Sequence, residues 1–231
     1  MRRLVLFDID GTLLHSGGAG ARALRDALVE VFGTAGPVDR YSMAGRTDPQ
    51  IARELLRAAG LDAARIDAGL PALWRAYVRN LEREVRESDV RVLPGVLPLL
   101  ERVEAAGNGT VLGLLTGNVV EGARLKLESA GIGFGRFRVG AYGSDHADRP
   151  ELPAVAVARA EALTGYRFRE KEVVIIGDTP FDIACGEHLG VRTVAVATGH
   201  YSADDLAKCG PDHLFDDLTE TERVWEAIAE G

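Results

Sequence analysis

The first twelve residues constrain this chain more than any other stretch. Leu4–Phe7 is an unbroken apolar run, which is typical of a strand buried on both faces in the middle of a parallel sheet. Two carboxylates, Asp8 and Asp10, follow at once, and Gly11 and Thr12 come next. Because an uncompensated buried charge is costly, paired acids at the end of such a strand indicate a bound cation. Open α/β sheets bind ligands at this carboxyl edge, and we expect the cation there.

The rest of the chain alternates strand and helix patterns. Apolar runs predict further strands at Val111–Leu115, Phe137–Ala141, Glu172–Ile176, Thr193–Ala197 and, weakly, His213–Phe215. Helices are predicted between these strands. This alternation predicts an α/β fold with a Rossmann-like, doubly wound parallel sheet and right-handed crossovers. Because the carboxyl ends of parallel strands share one edge, we expect the polar residues that follow these strands to converge.

A block of helices interrupts this alternation after the first strand. Helices are predicted over Ala21–Phe32, from Asp48 to about Ala59 and from about Pro71 to Glu87, with no strand signal between about residues 15 and 85. Such a block does not fit inside a sheet. We therefore expect an all-helical cap domain at 15–91, joined by hinges near 14–20 and 82–94 to a core domain formed by 1–14 and 92–231.

Composition and charge exclude several classes of protein. With 231 residues, of which 46% are hydrophobic, the chain is long enough for a buried core and is not mainly disordered. Apolar runs are too short to span a membrane, and the N-terminus is not a signal peptide. The net charge of −8 argues against nucleic acid as a partner. Cys185 and Cys209 are too far apart for metal-type spacing, and we expect two buried free thiols in a reducing cytoplasm.

Three motifs at strand ends resemble those of a known superfamily. They are Asp8-Ile9-Asp10-Gly11-Thr12, Thr116-Gly117-Asn118 and Gly177-Asp178-Thr179-Pro180-Phe181-Asp182. With an upstream basic residue, their order resembles the haloacid dehalogenase superfamily, specifically its phosphatases with a helical C1-type cap inserted after the first strand. The resemblance covers the whole chain and implies a strand order of 3-2-1-4-5. The cap type and the stretch Gly45–Asp48 look most like phosphoglycolate phosphatases.

The resemblance implies a role for each residue of the first motif. Asp8 is expected to be the nucleophile, because a carboxylate attacking phosphorus splits one hard hydrolysis into two steps. Asp10 is expected to protonate the leaving alcohol and then to activate water. Dehalogenases of the superfamily lack an acid at this second position, so Asp10 favours phosphate chemistry. Gly11 and Thr12 are expected to form a tight turn that lets the backbone approach phosphate oxygens.

The second motif and the basic residue upstream of the third motif are expected to hold the phosphoryl group. Thr116 would donate a hydrogen bond to one of its oxygens, and Gly117 and Asn118 would present N–H groups at a helix start. The superfamily usually has a lysine before a proline-containing helix start, but here Arg149 precedes Pro150. We assign the charge-neutralising role to Arg149, whose planar fork would clamp phosphate.

The expected cofactor is Mg²⁺, which prefers hard oxygen ligands. The resemblance implies that the carboxylates of Asp8 and Asp178 and the backbone carbonyl of Asp10 are its protein ligands. Asp182, four residues after Asp178, is expected to act through water or to orient Arg149. In the cap, Arg46 is a candidate for binding a second anionic group of the substrate.

These expectations lead to a Mg²⁺-dependent phosphatase that hydrolyses a small phosphomonoester through an aspartyl-phosphate. Sugar-phosphate, nucleotide and pyrophosphate hydrolysis remain open, as does a phosphosugar mutase. A non-catalytic phosphoacceptor, such as a receiver domain, is an alternative of another class, although receiver domains are smaller and have no helical cap. An inactive member that lost the usual lysine is a further alternative. The expected partner is a small phosphorylated metabolite, and the expected state is a monomer or a homodimer.

Overall fold

A computed structural model describes residues 2–107 and 109–230. Its strands, in chain order, are β1 Arg3–Phe7, β2 Leu14–His15, β3 Arg91–Val92, β4 Thr110–Thr116, β5 Val139–Tyr142, β6 Val173–Gly177, β7 Arg192–Val196 and β8 His213–Phe215. Its α-helices are α1 Ala19–Phe32, α2 Asp48–Ala58, α3 Ala63–Glu87, α4 Val96–Ala105, α5 Val120–Ser129, α6 Leu152–Thr164, α7 Pro180–Cys185, α8 Ala203–Ala207 and α9 Thr221–Ala229.

Six of these strands form one parallel sheet with the order β5-β4-β1-β6-β7-β8. All five residues of β1 are buried, as expected for a central strand packed on both faces. Counted along the chain, the sheet strands are ordered 3-2-1-4-5-6. The predicted doubly wound α/β fold and the order 3-2-1-4-5 are therefore confirmed, and β8 extends the sheet at one edge.

The helical segment between β2 and β3 has its own apolar cluster. Leu28, Leu55 and Leu73, from α1, α2 and α3, are all fully buried in it. The same cluster includes Val119, at the start of α5, so the segment packs against one helix of the sheet domain. Among the described residues, no helix combines the length and the apolar character that a membrane crossing requires.

Several predicted boundaries are wrong for identifiable reasons. Helix α3 begins at Ala63 and continues through Pro71, because Asp62 accepts a hydrogen bond from the Arg65 amide and Ile66 is buried in the helical cluster. The two connections between the helical segment and the sheet domain pair as a two-stranded antiparallel ribbon, β2 with β3, and the sequence analysis does not predict this pairing. Cys185 is buried as expected, but Cys209 is exposed because it follows the short surface helix α8.

The start of α2 joins the helical segment to the sheet domain. The Thr47 side chain caps the helix by accepting a hydrogen bond from the Gln50 amide, and it also donates to the carbonyl of Ala147. The Asp48 amide donates to the Gly117 carbonyl at 2.8 Å, and Asp48 Oδ2 accepts from the Val119 amide at 2.9 Å. Thr47 and Asp48, at the start of α2, therefore form a hydrogen-bonded seam with Gly117, Val119 and Ala147 of the sheet domain.

The stability that the seam contributes should depend on pH, because Asp48 can ionise. Burial raises the pKa of Asp48 from 3.8 to about 6, although Lys126 and the Val119 amide oppose the rise. The folded protein then binds this proton more tightly than the unfolded chain does. The stability that Asp48 contributes is complete below about pH 4 and is lost as the pH rises through about 6.

Asp48→Asn tests this coupling, because asparagine keeps an acceptor for the Val119 amide and does not ionise. Between about pH 4 and pH 7 we expect the variant to gain about 1 kcal/mol over the wild type, or roughly 2–4 °C in Tm. The measurement is thermal unfolding by circular dichroism in EDTA, with the exposed Asp39→Asn as the control. A Tm difference that stays constant across this pH range would contradict the coupling.

Candidate active site

The carboxyl ends of β1, β4 and β6 meet in the centre of the sheet. Phe7, the last residue of β1, is paired with Leu114 of β4 and with Ile176 of β6. Asp8 follows β1 directly, Thr116 ends β4, and Asp178 follows β6. The structure therefore brings the three sequence motifs together at one sheet edge, as parallel pairing requires.

Four charged side chains lie buried at this edge. Asp8, Asp178, Asp182 and Arg149 are each 5% exposed or less. Arg149 Nη2 lies 3.5 Å from Asp8 Oδ2, and the same nitrogen donates a short hydrogen bond to Asp182 Oδ1. The other oxygen of Asp182 accepts hydrogen bonds from the amide and the hydroxyl of Thr179, at 3.0 and 2.7 Å. Asp182 is thus positioned to orient Arg149 beside Asp8.

The pKa values at this edge reflect an excess of buried negative charge. Burial raises the pKa of Asp8 to about 6, with Arg149 opposing the rise and Asp182 and Asp10 adding to it. Burial also raises the pKa of Asp178 well above its ordinary value, and Asp182 and Asp8 add to that rise. Burial disfavours the charge on Arg149, yet Asp182 and Asp8 outweigh it and hold the pKa of Arg149 above its usual value.

The acid cluster fits a divalent cation. One carboxylate oxygen from each of Asp8, Asp178 and Asp182 lies within 4.8 Å of the others. Asp8 Oδ1 is buried and has no hydrogen-bond partner in the part of the chain that the structure describes. A buried polar atom without a partner is costly, and hard oxygens are the ligands that Mg²⁺ prefers. The residues present therefore suit the expected metal.

The turn after β1 packs tightly against Asp178. Gly11 has a positive φ of 87°, and a Cβ there would collide with the Asp178 carboxylate. The buried hydroxyl of Thr12 donates to Asp178 Oδ1 at 2.9 Å. The Thr12 side chain thus holds Asp178, which the sequence analysis did not anticipate. Gly199, in the loop after β7, also leaves no room for a Cβ against Asp178.

The end of β4 presents a hydroxyl whose proton is available. Thr116 is fully buried, and its Oγ1 accepts a hydrogen bond from Asn118 Nδ2 at 2.8 Å. The hydroxyl proton can then be donated towards the cavity. A Cβ on Gly117 would collide with the carbonyl of Arg46, so the loop before α2 lies directly on this turn.

Asp10 has a different environment from Asp8. Its side chain is 39% exposed, and it is paired with Lys126, whose Nζ lies 2.5 Å from Asp10 Oδ2. Asn118 Nδ2 donates to the same oxygen at 2.9 Å, and the Ser16 hydroxyl donates to Oδ1 at 3.0 Å. Burial acts to raise the pKa of Asp10, but the contacts with Lys126, Asn118 and Ser16 outweigh it, and the net pKa is lowered.

A cavity of about 530 Å³ lies between the sheet edge and the helical segment. The sheet side contributes residues from each of the three motifs, among them Asp8, Thr116 and Asp178. The helical side contributes Leu24, Met43, Arg46, Ile51 and Tyr77. The Arg46 side chain is 29% exposed. Its Cζ lies 5.4 Å from the centroid of the Tyr41 ring and 5.6 Å from the centroid of the Phe181 ring. The structure therefore places Arg46 in the same cavity as Asp8, as the sequence analysis expects.

Sequence reasoning missed Lys126, Ser16 and Gly199. Lys126 had a detectable signal, because Val119, Ala123 and Lys126 recur at helical spacing and form the buried side of α5. A lysine among these buried residues indicates a buried partner of opposite charge, because an unpaired buried ammonium group is costly. Ser16 and Gly199 lie in loops, where one sequence offers no periodicity to read.

Comparison with known proteins places this arrangement in a family. The model of the haloacid dehalogenase-like hydrolases matches residues 5–196. A phosphoglycolate phosphatase of Rhodospirillum rubrum is 30% identical over 224 residues, which cover 94% of this chain and 88% of that protein.

Solved structures show the same fold. A hydrolase from Pseudomonas syringae superposes with a TM-score of 0.74 over 100% of both chains, at 19% identity. CbbY from Rhodobacter sphaeroides, solved with xylulose-(1,5)bisphosphate, has a TM-score of 0.72 at 18% identity, covering 95% of this chain and 96% of that one. The resemblance that the strand-end motifs carry is confirmed: the chain belongs to the haloacid dehalogenase-like hydrolase family.

Proposed function

We propose that this hydrolase is a Mg²⁺-dependent phosphatase that cleaves a small phosphomonoester through a phosphorylated Asp8. One observation carries the proposal: Asp8 is buried at the end of the central strand beside Arg149, with one carboxylate oxygen unpartnered among the described residues. A carboxylate held in this way can attack phosphorus without first losing a hydrogen bond.

Two steps follow from the side chains present. In the first, an oxygen of Asp8 bonds to phosphorus, the ester bond breaks, and the leaving alcohol takes a proton from the protonated form of Asp10, which the second step regenerates. In the second, Asp10 accepts a proton from water, the water oxygen bonds to phosphorus, and inorganic phosphate leaves Asp8. Arg149 offsets the charge on the phosphoryl oxygens, and the Thr116 hydroxyl donates to one of them.

The metal would be held by the carboxylates of Asp8 and Asp178 and by the Asp10 carbonyl. When bound, Mg²⁺ would neutralise charge on the transferring phosphoryl group. Asp182 is assigned to orienting Arg149, because both of its oxygens are already engaged.

We assign the helical segment, residues 15–91, to a cap that covers the cavity and selects the substrate. A cavity of about 530 Å³ suits a small metabolite. Arg46 lines it and would bind a second anionic group, such as a carboxylate. The R. rubrum relative is a phosphoglycolate phosphatase, and we propose a carboxylate-bearing phosphomonoester as the substrate class. The free thiols of Cys185 and Cys209 support a reducing, cytoplasmic location.

The first prediction concerns turnover and the nucleophile. In millimolar MgCl₂ the protein should release many equivalents of phosphate from 4-nitrophenyl phosphate and from 2-phosphoglycolate. EDTA or Asp8→Asn should lower the rate at least about 10³-fold, because the metal or the nucleophile is then lost. Phosphate release is measured with a dye assay, and Asp39→Asn serves as the control. Release of one equivalent at most would point to a phosphoacceptor, and full activity of Asp8→Asn would exclude the proposed nucleophile.

The second prediction concerns Arg149. Arg149→Ala should lower kcat about 10²–10³-fold, because a group that stabilises transition-state charge is removed. Arg149→Lys should lose less, since the ammonium keeps the charge but not the planar fork. Removing one partner of a buried ion pair is also destabilising, so both variants are assayed below their measured Tm. If both variants retain wild-type kcat, Arg149 does not have the assigned role.

The third prediction concerns Arg46. Arg46→Ala should raise KM for 2-phosphoglycolate about tenfold, because a charge-assisted contact to the carboxylate is lost. KM for ethyl phosphate, which carries no second anion, should stay within about twofold. Arg57→Ala, which removes an exposed arginine in the last turn of helix α2, is the matched control. Equal changes in KM for the two substrates would argue against a carboxylate site at Arg46.

A further inference from the structure

Lys126 is a buried charge for which the proposed reaction has no assigned role. Its side chain is 5% exposed and projects from the middle of α5, on the same buried stripe as Val119 and Ala123. Burying an ammonium group costs several kcal/mol unless it is well paired, and an apolar side chain would fill the same position without that cost. The packing of α5 therefore does not explain the lysine.

The stability of the folded protein does not explain why a lysine is paired with Asp10 either. Asp10 is 39% exposed, so water can solvate its carboxylate without help from a buried cation. Folding does not require a buried cation beside Asp10, because replacing a buried ion pair by apolar groups of similar volume is often neutral or stabilising. The contact is better explained by what it does to the geometry of Asp10.

Lys126 determines the orientation of two side chains at once. Its Nζ donates to Asp10 Oδ2 at 2.5 Å and to Asn118 Oδ1 at 2.6 Å. Because Lys126 occupies the amide oxygen of Asn118, the amide nitrogen points the other way and donates to Asp10 Oδ2 and to Thr116 Oγ1. Without the ammonium group, the Asn118 amide would be free to flip, and both of those contacts would be lost.

The ammonium is also enclosed by the helical segment. A Cβ added to Gly20 of α1 would lie 3.1 Å from Lys126 Nζ and 3.7 Å from the hydroxyl of Tyr77. Glycine at this position leaves the space that the lysine head occupies. Lys126 thus lies where the helical segment and the sheet domain meet, directly behind the side chain of Asp10.

We propose that Lys126 is a positioning residue that holds the Asp10 carboxyl, directly and through Asn118, at the leaving-group oxygen of the substrate. The inference rests on the proposed function, because it assumes that Asp10 transfers the proton. Lys126 itself does not touch the phosphoryl group and takes no part in bond making or breaking.

The test compares two substrates that differ in their need for proton transfer. An ethyl phosphate requires a proton for its alcohol to leave, whereas 4-nitrophenol leaves readily as an anion. For Lys126→Met we expect kcat/KM to fall about 10²-fold with ethyl phosphate, because general acid catalysis is worth about that much. With 4-nitrophenyl phosphate the fall should be less than about threefold. Lys208→Met, an exposed lysine, is the control and should leave both values unchanged.

A purely structural role for Lys126 predicts a different result. It would lower kcat/KM for both substrates by the same factor and leave their ratio as in the wild type, which would overturn the inference. A rise in activity with ethyl phosphate would overturn it as well, since the contact would then restrain Asp10 unproductively.

A double-mutant cycle adds a second measurement. The substrate ratio is kcat/KM for ethyl phosphate divided by kcat/KM for 4-nitrophenyl phosphate. Asp10→Asn alone should lower this ratio as Lys126→Met does, and adding Lys126→Met to Asp10→Asn should change it little further. Independent effects in the double variant would contradict the inference. If Lys126→Met is unfolded at the assay temperature, Lys126→Arg and Lys126→Gln replace it. Arginine should recover most of the wild-type ratio, and glutamine less.

The control reactions separate this inference from the proposed function. If the wild type has no phosphatase turnover, or if Asp10→Asn leaves the substrate ratio unchanged, the proposed function fails before any lysine variant is considered. If both behave as expected and Lys126→Met keeps the wild-type ratio, only the role of Lys126 is wrong.

Discussion

The active-site structure depends on how the negative charges of a cluster of buried carboxylates are compensated. Asp8, Asp178 and Asp182 meet a single guanidinium, that of Arg149, at the end of the central strands. Three carboxylates and one cation leave two uncompensated negative charges in a place that water barely reaches. Burial raises the pKa values of Asp8 and Asp178, and the neighbouring carboxylates add to the rise. A divalent ion carries the charge that would restore balance, which explains why the same residues suit both metal binding and phosphate chemistry.

Asp10 is only two residues from Asp8, yet it lies in a separate electrostatic environment. The pKa of Asp8 is raised by burial, whereas the pKa of Asp10 is lowered by Lys126 and its other hydrogen-bond donors. Neighbouring carboxyls whose environments differ in this way can take different roles in one reaction. The fold makes this possible, because α5 brings Lys126 against Asp10, whereas Arg149 lies beside Asp8.

The sequence predicted the fold and the position of the site better than it predicted the contacts between segments that are distant in the chain. Buried strands, strand-end acids and glycine-marked helix ends are local signals, and they sufficed to predict the parallel sheet and the convergence of Asp8, Thr116 and Asp178. The strand order followed from the family resemblance. Contacts between distant segments left weaker traces. The sequence does not pair Lys126 with Asp10, because the two lie 116 residues apart, and it does not pair β2 with β3, because two-residue strands have no periodicity. Proline is favoured in the first turn of a helix, so the local pattern predicts a start at Pro71 and ignores the packing of Ile66, which carries α3 through it.

The short ribbon between β2 and β3 has a mechanical consequence. The two crossings between the helical segment and the sheet domain pair with each other, Leu14 with Val92 and His15 with Arg91. Two separate strings would let the helical segment swing and rotate in any direction. In the paired ribbon each crossing is tied to the other, so a displacement of one crossing must move the other with it. A substitution that disrupts either strand would therefore loosen both connections at once.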